Sequence, residues 1–139
     1  MIQPVDIKTN LEIIKKKIND AEIKSGRAPG SVKLMAVSKF HPAEAVIEAI
    51  NTGQFLFGEN RVQEAYSKFP SIIQENPATE LHMIGQLQTN KVRHAVEIAS
   101  CIESVDRIEL ISEIEKQCAK IDKKIKILFE YHTGEESKS

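Results

Sequence analysis

Residues 32–44 read VKLMAVSKFHPAE. The apolar run Leu34-Met35-Ala36-Val37 is too short for a helix, and it predicts a buried strand over 32–37. Ser38-Lys39 stands at the carboxyl end of that strand. Behind it, Pro42 opens a helical stretch with Ala45, Val46, Ala49 and Ile50 at spacings of three and four, closed by Gly53. A strand, a tight polar turn and a helix make one βα unit.

The same unit recurs downstream. Residues 55–57, 80–84, 101–105 and 125–131 read as further strands. Residues 60–73, 89–99 and 107–121 read as the intervening helices. Asn60 with Gln63 three residues later has the form of a capping box, and Thr89 and Asp106 stand where helix caps are expected. Upstream, 5–25 carries Ile7, Leu11, Ile14, Ile18 and Ala21 as one apolar stripe ending at Gly26, which makes 1–26 a lead-in helix. The expected organisation is therefore a single domain over 1–139, with successive βα units from residue 32. Such alternation implies an α/β fold with parallel strands and right-handed crossovers. Two architectures fit, an open doubly wound sheet and a (β/α) barrel. No GxGxxG follows the first strand, which argues against the dinucleotide-binding form of the open sheet and tilts the reading towards the barrel.

Composition narrows the function classes. A net charge of −1 gives no support for a nucleic-acid partner or a polybasic membrane contact. No apolar run approaches membrane-spanning length, and MIQPVDIKTN has no basic-then-apolar signal pattern. Cys101 and Cys118 form no metal-like spacing and read as buried free thiols in a reducing, cytoplasmic setting. His41, His82, His94 and His132 are scattered, so no metal site is expected.

In parallel α/β folds the carboxyl ends of the strands share one face, where sites are built. Ser38-Lys39, Gly58-Glu59-Asn60, Gly85-Gln86, Asp106 and the stretch 133–138 should converge there. Lys39 is the residue that helix capping does not explain, because a cation is disfavoured at a helix start. Withdrawal from water beside positive helix ends would favour a neutral, nucleophilic amine able to condense with a carbonyl. A lysine snorkelling at the strand edge is the alternative that position alone leaves open.

The motifs AVSK, HPAEAV, FGENRVQEA, LHMIGQLQTNK, VDR and TGEESKS, in that order, resemble the pyridoxal phosphate homeostasis protein family. That family is similar to the N-terminal barrel domain of alanine racemase. The resemblance implies a parallel (β/α) barrel of the TIM type, here with about five of its eight strands. It also implies that Lys39 holds pyridoxal 5′-phosphate (PLP) as a Schiff base, with Asn60 and His82 beside the ring. For His82, a satisfied core histidine is the competing reading. Arg61 stands where the family pattern has tyrosine, and the FEYH stretch at 129–132 departs from a usual valine-asparagine pair. Ser137 and Lys138 match the family's ESK element, which makes Lys138 a second amine near the mouth.

The resemblance places the phosphate-binding loops, and an arginine facing the ring nitrogen, beyond residue 139. The function it implies is PLP binding in intracellular PLP homeostasis without substrate turnover. The alternatives are a PLP-dependent racemase-like enzyme, a Schiff-base aldolase that uses Lys39 without PLP, and a purely structural half-barrel. A five-strand array would leave two edges unpaired, so self-association through the open barrel edges is a further expectation.

Overall fold

The computed structural model describes residues 6–134. Helix α1 (Ile7–Lys24) is started by Asp6, whose carboxylate accepts from the Thr9 amide at 3.0 Å and the Thr9 hydroxyl at 2.8 Å. It ends before Gly26, whose φ of +76° suits a residue without Cβ. Of its apolar stripe, Leu11 is buried and Ile7 packs against the core, whereas Ile14 remains largely exposed.

Five strands follow: β1 (Ala36–Val37), β2 (Leu56–Glu59), β3 (Glu80–Met83), β4 (Cys101–Val105) and β5 (Lys126–Phe129). All pairings are parallel, and the spatial order β1-β2-β3-β4-β5 is the order in the chain. A doubly wound sheet reverses direction at a switch point, and none occurs here. Sequential order with right-handed crossovers places every connecting helix on the same face, which is the winding of a barrel wall. Those helices are α2 (Ala43–Asn51), α3 (Val62–Glu75), α4 (Val92–Ile98) and α5 (Ile108–Lys120).

The core lies between the helices and one sheet face. Phe57, Leu81, Met83 and Ile102 project into it from the strands and meet Val46, Phe69, Ile72, Val92, Val96, Leu110 and Ile114. Phe57 and Phe69 are in tilted contact, with ring centroids 6.0 Å apart. Adjacent strand residues alternate faces, so Val37 and Leu128 point to the opposite side and stay about half exposed. Both cysteines are buried free thiols, as their sequence context predicts, and burial pushes both thiols above their ordinary value.

Several boundaries differ from the sequence reading. Only Ala36–Val37 of the predicted strand 32–37 is laddered, because β1 has a single neighbour. The amide of Val32 is held instead by the Glu22 carboxylate at 2.8 Å, and the Leu34 carbonyl accepts from the Gln54 amide at 2.7 Å. β5, also an edge, is shorter than 125–131. The Asn60–Gln63 capping box does not form: Asn60 lies before α3, Arg61 holds the cap position, and no side chain caps the helix. Thr89 begins a turn of 3₁₀-helix leading into α4. Asp106 caps nothing; it pairs with Arg107 at 2.7 Å.

Glu22 is the one acid buried within α1. Besides Val32 it accepts from the Gly30 amide and the Ser31 hydroxyl, so one carboxylate ties the whole loop into β1. The Val32 amide bond, followed by the Gly30 amide bond, holds this carboxyl below its ordinary value of 4.5. A depressed folded value means the tie is fully present above 4.5 and is lost as pH falls through the lower folded value. Limited proteolysis of the 27–32 loop should therefore accelerate in that acid window. Glu22→Gln should show the faster cleavage already at neutral pH; equal cleavage of variant and parent at pH 7 would remove this role.

Candidate functional site

Parallel pairing brings the carboxyl ends of all five strands to one mouth. The register aligns Val37 with Gly58, Gly58 with His82, and His82 with Cys101. These four form a row across the sheet face that no connecting helix covers. Two residues further along each chain come Lys39, Asn60, Ile84 and Glu103. Lys39 and Asn60 thus follow adjacent strands at the rim, and His82 lies one row deeper. All three are partly buried.

Lys39 occupies a tight turn. The Ser38 amide continues the β1–β2 ladder by donating to the Gly58 carbonyl at 3.0 Å, and the His41 amide closes the turn onto the Ser38 carbonyl at 3.1 Å. Lys39 and Phe40 are the central residues, and Phe40 has a φ of +66°. That left-handed position suits glycine and costs a phenylalanine on the order of 1–3 kcal/mol. The Phe40 amide donates to the Glu64 carboxylate at 2.5 Å, and the Arg61 guanidinium lies 5.8 Å from the Phe40 ring centroid. The ring itself is exposed beside Lys39. No ion pair among the described residues involves Lys39.

Beneath the turn lies a buried ionic cluster. Glu59, on the helix-facing side of β2, is fully buried, and its Oε1 pairs with the Lys68 ammonium at 2.5 Å. The same oxygen accepts from the Ser38 hydroxyl at 2.8 Å. Lys68, on α3, donates further to the carbonyls of His41 (2.8 Å) and Ser38 (3.0 Å), and to Glu64 at 3.2 Å. Glu59 was expected at the mouth; alternation along β2 turns it into the helix layer instead. Lys68 was not expected at all. Its signal was present in the sequence: it falls between Ala65 and Ile72 on the apolar stripe of α3, four residues after Glu64.

His82 is bonded within the sheet through one ring nitrogen. Its Nδ1 lies 2.7 Å from Glu103 Oε1 on β4, so the imidazole orientation is set by a carboxylate. The Cys101 thiol is close by, and the three donor atoms lie within 4.8 Å of one another. Glu103 escaped the sequence reading because only the register of β3 against β4 brings it to His82. The direct His82–Glu103 bond uses Nδ1 and Oε1 and leaves Nε2 and the second carboxylate oxygen outside it.

A groove of about 540 Å³ opens at the mouth between the loops after β2 and β3. It is lined by Asn60 and by Arg61, Lys91 and Arg107, but not by Lys39 or His82. The Asn60 loop is held close by Gly85. A Cβ at Gly85 would lie 2.5 Å from the Asn60 carbonyl oxygen and 2.8 Å from its Cα. Lys138 and Ser137 lie outside the described residues.

No family model matches the chain. Individual proteins do. The pyridoxal phosphate homeostasis protein of Vibrio alginolyticus is 40% identical over 96% of this chain, and that of Escherichia coli K12 is 41% identical over 81%. The chain belongs, over the stretch it spans, to the pyridoxal phosphate homeostasis protein family. That stretch is 58% of the Vibrio protein's length and 48% of the Escherichia protein's. Among solved structures, an uncharacterised protein from Bifidobacterium adolescentis superposes with a TM-score of 0.86 at 30% identity, covering 99% of this chain and 62% of that one. PipY of Synechococcus elongatus, solved with PLP bound, gives a TM-score of 0.67 at 40% identity over 82% of this chain and 52% of its own. With these neighbours the fold is that of a partial TIM-type barrel, as the strand order requires.

Gly85→Ala tests the packing at the rim. Backbone sits where the new methyl would go, so the loops must separate, at a cost of about 1–3 kcal/mol. A drop in melting temperature, with chemical-shift changes centred on Asn60, is the expected result. An unchanged melting temperature would show that the two loops are not tightly opposed.

Proposed function

We propose that this chain binds pyridoxal 5′-phosphate through Lys39 and serves PLP homeostasis without turning over a substrate. The placement of Lys39 carries the reading: an amine on a fixed turn, at the carboxyl end of the first strand of a parallel barrel wall. The names of the relatives and the PLP-bound PipY structure supply the cofactor's identity. When bound, PLP would supply an electrophilic aldehyde carbon, and Lys39 would be the residue that holds it, through its amine.

The residues present fit part of the cofactor. Lys39 offers the amine, Asn60 an amide at the rim, and His82 an imidazole held by Glu103 on the uncovered face. The cations of the neighbouring groove, Arg61, Lys91 and Arg107, are not arranged around Lys39. The family resemblance implies that the phosphate is held elsewhere, in later βα loops.

The two tyrosines weigh against the racemase alternative. A racemase needs acid–base groups on both faces of the substrate carbon. The Tyr66 hydroxyl is committed to Glu97 at 2.7 Å, and its ring packs against His94 on the outer helix layer. Tyr131 lies beyond β5 and is almost wholly exposed. Neither is placed at the mouth to serve as the second acid.

Lys39→Ala should abolish a borohydride-reducible visible band formed with PLP, while leaving the far-ultraviolet circular dichroism unchanged. Retention of a reducible band would move the assignment to another amine, Lys138 first. A parent protein that condenses with aldehyde substrates yet gives no visible band with PLP would favour the cofactor-free aldolase.

The same architecture bears on self-association. β1 and β5 are the two edges of the described sheet, and Val37, Leu128 and Phe129 are exposed. Parallel strands are built to be covered on both faces, and open edges pair with other strands. We infer that these edges are covered by further strands, from the same chain or from a second copy. Sedimentation of the 139-residue chain should show dimers or larger species. A stable monomer that binds no apolar dye would refute this.

A further inference from the structure

Lys68 is a costly residue at its position. It is buried on the core face of α3, where an uncompensated ammonium would be strongly destabilising. An apolar side chain would fill the space, but it would not make the four contacts that Lys68 makes. Two of these go to the carbonyls of Ser38 and His41, the first and last residues of the turn that carries Lys39. A third goes to Glu59, whose same oxygen takes the Ser38 hydroxyl. The fourth goes to Glu64, which takes the Phe40 amide. Every residue of the 38–41 turn except Lys39 is therefore held by this three-residue cluster. The turn needs holding, because Phe40 occupies a backbone region that favours glycine.

We propose that Lys68, with Glu59 and Glu64, is a positioning residue for Lys39: it fixes the strained 38–41 turn and so sets the direction in which the Lys39 amine leaves the barrel wall. Lys68 touches neither the amine nor the mouth; it acts through the two carbonyls that bracket Lys39. The inference rests on the reading of Lys39 as the PLP-binding amine, but its structural half stands without that reading. A fixed turn lowers the cost of bringing the amine to an aldehyde in a reactive geometry, whereas a loose one makes each encounter less productive.

Lys68→Met alone would strand the Glu59 carboxylate in the core and could simply unfold the protein. The informative variant is therefore the double substitution Glu59→Gln with Lys68→Met, which removes both charges together. Ile114→Val on α5 serves as a control that loosens the core away from the turn. Amide hydrogen exchange is followed at Phe40 and His41, and the rate of appearance of the borohydride-reducible band is followed with PLP added to the full chain.

The double variant should exchange faster at Phe40 and His41, and form the reducible band on the order of ten- to a hundredfold more slowly. The Ile114→Val control should match the parent in both readouts, whatever its loss in melting temperature. Unchanged exchange at Phe40 and His41 in the double variant would overturn the proposal, with or without PLP. So would changed exchange with an unchanged rate of band formation, or a rate that falls equally in the control. A parent protein that forms no reducible band would instead defeat the PLP reading of Lys39, while the exchange data still decide whether Lys68 holds the turn.

Discussion

A carboxylate with no exposure to water has to meet a cation or donors, and Glu59 meets Lys68. This pair joins the sheet to the helix layer at the point where β1 gives way to its turn. Replacing such a pair with apolar residues is often neutral for stability, while losing one partner alone costs about 3–5 kcal/mol. The pair therefore contributes little to the total stability and much to local geometry. Around it, Ser38, Phe40 and His41 have their polar backbone or hydroxyl groups assigned to specific partners. The first βα connection, which would otherwise be a loose surface loop, becomes part of the rigid wall.

The wall has its own logic. Strands laid down in chain order, each parallel to the last, send every helix to one side and every carboxyl end to one rim. The second face of the sheet is left for a lining whose members alternate with core residues. Val37, Gly58, His82 and Cys101 belong to that lining, and the rim above it carries Lys39 and Asn60. Gly58 has a packing reason for its lack of a side chain: a Cβ there would lie 2.6 Å from the Met35 sulfur. Close approach of Met35 and Ile84 over this glycine fills the lining locally. A bulkier residue would push the first strand's approach outward.

Much of this was legible in the sequence because it is written in local pattern. Short stretches of three to seven residues, alternating with stripes of period 3.6, located all five strands and all five helices. The position of Lys39 after such a run placed it at the rim. Strand length was less legible, since ladder extent depends on neighbours: Val32 to Met35 are apolar enough for a strand but have no partner across from them. Asn60 had the composition of a cap and failed to act as one because the helix begins after Arg61. Glu59, Lys68 and Glu103 were misplaced or missed for a common reason. Each owes its role to a partner far away in sequence, and neither alternation at Glu59 nor the charge on the stripe of α3 names that partner. Periodicity alone only tilted towards the barrel winding; the motif resemblance implied it, and the strand order agrees.

Strand order also bears on how the molecule is made. Each strand pairs with the one immediately preceding it in the chain, so every pairing closes a loop containing a single α-helix. Contacts of this range are cheaper to form, in loop entropy, than those of a sheet whose central strands come from distant segments. A chain of this kind can assemble in the direction of synthesis, each new unit docking on the edge left by the one before. At every stage the growing sheet carries one fresh template edge and a partly covered floor. The lysine-bearing turn, tied to Glu59 of β2 and to Glu64 and Lys68 of α3, would be in place once the second unit has docked, before β3 to β5 exist.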